Sequence, residues 1–189
     1  MITKAEFKKF IGIDVDSYDD AIDQIIKGLK LYVEAYCKNV LTEQEVEEFF
    51  DSNEILENKQ NIFLANRVNL SNFKLYYNTG NQAEPVWVEE NAKNYGLYLK
   101  QGLVGLTVVR RVASINSGLS DYKATYKAGF KAENMPDDIK LACLKLASAF
   151  FNKRKAEGLK SESLEGASVN FGEALTDEVK GLLLKYKSY

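Results

Sequence analysis

The chain has 189 residues and not one histidine. That absence removes the commonest general base, the commonest metal ligand and every Ser–His or Cys–His nucleophile pair. Cysteine is scarce as well. Cys37 and Cys143 both fall in segments that read as helices. Two buried, reduced thiols are expected, not a disulfide framework. No apolar run approaches the ~20 residues that a membrane-crossing helix needs. Met1-Ile2-Thr3-Lys4 leads straight into a capped polar helix, so no secretory leader is expected. Glycine-rich phosphate loops and metal-spaced clusters are missing too. These gaps point to a protein made inside a cell, soluble, without a cofactor and without catalysis. The net charge of -2 gives no global reason to bind nucleic acid.

What is present belongs to a folded protein: 46% hydrophobic and 12% aromatic residues. The length allows one large domain, or one domain with an insertion, around a real core. Charge is unevenly spread. Acids outnumber bases in residues 1–60, and bases outnumber acids in residues 61–135. Such polarity helps copies or partners meet in one orientation. Simple solvation of acidic helices is the other reading, and both stay open.

Residues 1–58 read as helical. Thr3 with Glu6 is a capping box, and Gly12 suits the stop of the short helix it opens. From about Tyr18 to Lys38, Ile22, Ile25, Ile26, Leu29, Tyr32, Val33 and Tyr36 recur at three- and four-residue steps, the mark of one apolar helix face. Thr42 with Glu45 reads as a second capping box, opening a short acidic helix to Phe49-Phe50. The acids Asp14, Asp16, Asp19, Asp20 and Asp23 do not make an EF-hand. No glycine lies between Gly12 and Gly28, and Ile25 stands where the closing glutamate counted from Asp14 would fall. Helix capping accounts for them.

Residues 59–130 read as a β-rich insertion of hairpins or a small partial barrel. Segments rich in β-branched and aromatic residues recur at Ile62–Leu64, Phe73–Tyr77, Val86–Val88, Tyr95–Leu99, Leu103–Ile115 and Asp121–Lys127. The last is the clearest. Tyr122, Ala124 and Tyr126 alternate with Lys123, Thr125 and Lys127, then Gly129 permits a turn.

Residues 131–189 are helical again. Pro136 suits a first helical position, with Asp137 and Asp138 beside the positive end of the dipole. The helix to about Glu157 carries two apolar stripes. Ile139, Ala142, Cys143, Leu146 and Phe150 form one; Leu141, Leu144, Ser148 and Phe151 form a weaker second. Either the helix lies at the centre of its own domain, or Leu141, Leu144 and Phe151 face another copy. Gly158 suits the stop. Leu159–Leu175 is polar and glycine-containing, yet spaced with Leu164, Val169 and Phe171. It packs either on a partner or back on its own domain. Thr176 caps the last helix, whose narrow apolar face is Val179, Leu182, Leu183 and Tyr186. The fold class expected is therefore α+β: a bundle of N- and C-terminal helices with an antiparallel β-rich insertion.

The order of these parts resembles the head–tail connector (head-completion adaptor) proteins of tailed bacteriophages. Three places carry the match: Ile2–Phe10 with Asp14–Asp20 and the helix ending Tyr32-Val33-Glu34-Ala35-Tyr36; Tyr122–Phe130 with Met135–Lys140; and Leu159–Phe171. The resemblance implies a virion protein of the neck, assembled as a ring, commonly of twelve copies, under the portal. Such a ring extends the DNA channel without specific recognition of DNA. It also offers a platform to a stopper or tail-completion protein. The family's C-terminal part reaches toward the portal. Carried over, that points to Lys160, Leu164, Val169, Phe171, Leu182, Tyr186 and Tyr189. No catalytic, cofactor or metal residue comes with the resemblance. The alternatives are another neck or tail-completion protein, or a nucleic-acid-binding module using Arg67, Lys74, Arg110, Arg111, Lys123 and Lys127. An enzyme would have to use a carboxylate pair such as Glu89 and Glu90.

Overall fold

The computed structural model describes residues 1–80, 84–98, 101–109, 121–153, 161–164, 167–170 and 175–188. In chain order they form α1 (Lys4–Ile11), α2 (Asp19–Cys37), β1 (Gln44–Phe50), α3 (Ser52–Glu57), β2 (Asn61–Phe63), β3 (Ser71–Asn78), β4 (Trp87–Glu89), β5 (Tyr95–Tyr98), β6 (Leu103–Leu106), β7 (Tyr122–Ala128), α4 (Asp137–Lys153), β8 (Ser161–Leu164), β9 (Ala167–Asn170) and α5 (Asp177–Leu183). The class is α+β, and every strand pair is antiparallel. Contacts divide the chain into a helical unit, residues 1–37 with 132–187, and a β-rich unit, residues 38–131.

Local chemistry sets the helix ends of the first unit. The Thr3 side chain accepts the Glu6 N–H, and the Glu6 carboxylate accepts the Thr3 N–H at 2.7 Å, completing the expected box. Gly12 closes α1 in the left-handed conformation, φ 70°. The Thr176 hydroxyl caps α5 by accepting the Val179 N–H. Asp137 and Asp138 occupy the first turn of α4.

Packing then decides which apolar faces close. α1, α2 and α5 all pack on α4. Ile22, Leu29, Val33 and Cys37 of α2 are buried, as are Ile139, Ala142, Cys143, Leu146 and Ala147 of α4. Two expected interface residues go inward as well. Phe151 is 5% exposed, with the Phe7 ring edge-on at 5.8 Å and the Tyr18 ring at 5.5 Å. The Phe7 ring of α1 and the Tyr18 ring just before α2 close over this side of α4, so Phe151 is a core residue. Tyr186 is 7% exposed and donates its hydroxyl to Asp138 Oδ1 at 2.8 Å.

Burial pushes the Cys37 thiol up to about 11 and the Cys143 thiol up to about 12. The thiolate is the reactive form. Neither cysteine is therefore expected to react with a thiol reagent at neutral pH in the native protein, and both are expected to react after denaturation. Rapid native labelling of either would contradict the packing just described.

The β-rich unit holds a four-stranded sheet in the order β1-β7-β3-β4 and a three-stranded sheet in the order β2-β6-β5. They share one core. Leu75, Tyr122, Ala124 and Tyr126 from the first sheet cluster with Ile62, Val104 and Leu106 from the second. The alternation expected for residues 122–127 is realised. Tyr122, Ala124, Tyr126 and Ala128 are buried, and the residues between them are half-buried.

The expected acidic helix from Thr42 to Phe50 is instead β1. Its Glu48 pairs with Ala124 in the ladder. Val46 and Phe50 pack on the core, and the Glu48 carboxylate accepts the Tyr126 hydroxyl and the Ala65 N–H. Pairing with β7 over seven residues outweighs one local capping pattern. Of the long strand expected over residues 103–115, β6 takes Leu103–Leu106, while residues 110–120 lie outside the described residues.

Candidate assembly surfaces

Within the helical unit, α2 is apolar on two sides. The second side carries Ala21, Gly28 and Ala35 at seven-residue spacing, with Ile25, Leu31 and Tyr32 beside them. Leu31 is 70% exposed and Tyr32 is 41% exposed. Tyr32 meets Phe150 of α4 edge-on at 5.5 Å. Beside this pair lies an open groove of about 610 Å³, lined by Ala21, Ile25, Gly28, Leu29, Tyr32 and Phe150 with the polar Gln24 and Lys153. The sequence reading put Tyr32 on the single buried face and passed over Leu31. The seven-residue spacing of Ala21, Gly28 and Ala35 was the available signal.

A second apolar face runs along α4 and α5. Ion pairs link them: Lys145 of α4 with Glu178 of α5 at 2.7 Å, and Asp138 of α4 with Lys185, in the 3-10 turn after α5, at 2.6 Å. Burial raises the pKa of Asp138. The Lys185 ammonium, the Tyr186 hydroxyl and the Ile139 N–H outweigh burial and hold it below the usual 3.8. Beside these pairs Leu141 and Leu184 stay exposed, and Leu144 and Leu182 are half-buried. Of the expected subunit contacts, Leu141 and Leu144 therefore remain available and Phe151 does not. Of the expected portal-facing residues, Leu164 and Val169 lie on the β8–β9 hairpin, where Leu164 pairs with Ala167 and Val169 with Glu162. Lys160, Phe171 and Tyr189 lie outside the described residues.

Glycines mark both helix faces. A Cβ built on Gly28 or Gly181 meets nothing within 4 Å. In a helix interior, glycine is about 1 kcal/mol worse than alanine. A positive φ or a neighbour closer than 3.0 Å accounts for Gly12, Gly80, Gly102 and Gly129.

The outer face of the four-stranded sheet is a mixed ladder of charge. Lys74 pairs with Glu89 at 3.1 Å, and Lys123 with Glu47 at 3.5 Å. Lys127 sits opposite Glu45 in the register. Lys123 also lies 5.2 Å from the centres of both the Tyr76 and Trp87 rings. Acids thus interleave the cations proposed for nucleic acid, and no continuous basic track forms from Lys74, Lys123 and Lys127. Arg110 and Arg111 lie outside the described residues. The enzyme alternative fares no better. Glu89 faces outward to Lys74. Glu90 is 4% exposed, and its Oε1 accepts the Asn91 N–H at 2.9 Å and the Asn94 amide at 2.7 Å. Adjacent strand residues point to opposite faces, so the two carboxylates do not converge. Among the described residues, no group of His, Cys, Asp and Glu is arranged to hold a metal ion, and no helix is long and apolar enough to cross a membrane.

The capped helices thus keep exposed apolar faces, and the outer face of the four-stranded sheet pairs its own charges. The sequence matches the head completion protein family over residues 1–189. No curated protein matches it. Among solved structures it is similar to a chain described as the neck of an empty GTA particle computed with C6 symmetry, with a TM-score of 0.59 and 13% identity. That alignment covers 100% of this chain and 90% of the other. The chain belongs to the head completion protein family. It is therefore a structural head completion protein of a virion, and its family is not a class of enzymes.

Proposed function

We propose that copies of this protein assemble as a ring under the portal, extend the DNA channel and form the platform for a stopper or tail-completion protein. The observation that carries this reading is the family match along the whole chain. The exposed apolar helix faces support it, because a ring closes only through contacts between two different surfaces of one subunit. Twelve copies is the number the sequence resemblance implies. The charge ladder on the sheet suits a conduit, since DNA must slide past without being held. The portal-facing part is the C-terminal stretch with Lys160, Leu164, Val169, Phe171, Leu182 and Tyr189. Tyr186 is left out because the helical unit already buries it. Leu141 and Leu144 remain as subunit contacts.

An early stop codon in the gene tests this. DNA-filled heads that carry no tails are expected. Complementation in trans should restore tail joining. Tailed, infectious particles made without the protein would refute the reading.

A further inference from the structure

Among the described residues, β8 and β9 pair with each other and with no third strand. The hairpin therefore ends in two open edges, the outer side of β8 and the outer side of β9. An open edge is a row of unpaired N–H and C=O groups, a template for another strand. A lone two-stranded hairpin is at best marginally stable in water. We propose that the hairpins of successive copies pair edge to edge, β8 of each copy against β9 of the next, and close into a continuous β-barrel around the channel. The inference rests on the ring reading and adds the surface, the partner and the pairing.

Three observations carry it. The first is the number of open edges. A ring contact is heterologous: one surface of a subunit meets a different surface of the next. Pairing β8 with the next copy's β9 is such a contact, and it satisfies both edges of every hairpin at once. It also keeps every neighbour antiparallel, as within the hairpin. Docking on any other strand would fill one edge and leave the second open.

The second is how the edges are guarded. Charge and proline keep open edges from pairing. The four-stranded sheet uses both: its edge strand β1 carries Glu45, Glu47 and Glu48, and Pro85 stands just before its other edge, β4. From Gly166 to Gly172, the stretch that holds β9, there is neither a charge nor a proline.

The third is the division of faces. The register places Glu162, Leu164, Ala167 and Val169 on one face and Ser161, Ser163, Ser168 and Asn170 on the other. A barrel has an inner and an outer surface. Small, uncharged polar residues suit the surface past which DNA slides. Leu164 and Val169, on the opposite face, stay available to the portal as proposed above. The size fits as well. Twelve hairpins at ~4.8 Å per strand would close at a diameter of about 37 Å, wider with strand tilt, which clears a DNA duplex.

Disulfide trapping in mixed necks tests the pairing. One chain carries Ser161→Cys or Ser163→Cys in β8, and a second carries Ser168→Cys or Asn170→Cys in β9. Necks assembled from equal amounts of the two are oxidised. At least one of the four combinations is expected to give disulfide dimers, which reduction reverses. Necks of a single variant are expected to give none. Equivalent positions on successive hairpins lie two strand spacings apart, ~10 Å, beyond the ~7 Å reach of a disulfide, and Cys37 and Cys143 are buried. Dimers from Ser168→Cys necks alone would overturn the proposal, since they report a different contact. So would the lack of dimers from all four combinations in necks that native mass analysis shows to hold many copies; the ring would then stand and only this pairing would fall. Necks with a single copy would remove the ring reading itself. An independent arm uses Ser168→Pro. Leu164 pairs with Ala167 across two residues, so the next pair, Ser163 and Ser168, directs its backbone groups outward. Proline at 168 removes an outward N–H and spares the hairpin's own bonds. The variant is expected to melt no lower than the parent chain, yet to enter necks at least tenfold less. Undiminished incorporation would count against the proposal.

Discussion

Alanine at position 129 is expected to destabilise the β-rich unit by about 3 kcal/mol or more. Gly129 has φ 90°, where a Cβ is strained whatever the space around it. Here the space is also taken. The added carbon would lie 2.6 Å from the Thr42 carbonyl carbon and 2.9 Å from the Glu43 nitrogen, both backbone atoms that cannot rotate away. The turn is held on every side. The Gly129 N–H donates to the Val68 carbonyl at 2.9 Å, and the Asn69 amide donates to the Gly129 carbonyl at 2.8 Å. Next to it, the Phe130 N–H donates to the Leu41 carbonyl and the Glu43 N–H to the Phe130 carbonyl. Relief of the clash therefore breaks the link between β7 and the segment before β1. Denaturant titration of Gly129→Ala gives the measurement. A loss under ~1 kcal/mol would mean the turn relaxes freely, against this bonding.

The second large effect is at Phe151. Truncation to alanine is expected to cost about 3–5 kcal/mol in the isolated chain, as for other buried aromatic residues. The cavity would open between Phe7 and Tyr18, whose rings pack edge-on against it. Leu141→Ala, on the same helix but exposed, serves as the control and should change stability by less than ~0.5 kcal/mol. The contrast separates a core residue from a contact residue. If Phe151 served only assembly, its loss would leave the melting of dilute protein untouched and reduce only entry into necks. Both variants need nothing but purified protein and a thermal or chemical melt.

These two positions differ in how legible they were. Gly129 announced itself, because a glycine after a strand of strict alternation marks a turn. Phe151 misled. By spacing it shares a stripe with Leu141 and Leu144, and spacing alone does not tell which stripe another element covers. Only the approach of α1 and Tyr18 to the end of α4 takes it from the surface. Leu31 is the converse. Periodicity placed α2's buried face at Ile22, Leu29 and Val33 correctly, but said nothing of an opposite side that stays apolar and open.

The same division runs through the whole molecule. Features set within four residues were readable beforehand: the Thr3–Glu6 box, the Gly12 stop, the Thr176 cap, and the in–out alternation from Tyr122 to Ala128. Each depends on a hydrogen bond to a near neighbour or on the fixed pleat of one strand. The family resemblance was readable too, because it lies in the order of such local pieces. Residues 44–50 were not. A capping pattern there competes with a ladder to residues 122–128, far along the chain, and the ladder wins by burying Val46 and Phe50 on a core that two sheets complete. Which apolar faces are consumed and which are left over follows from distant segments meeting, and sequence spacing carries no record of that.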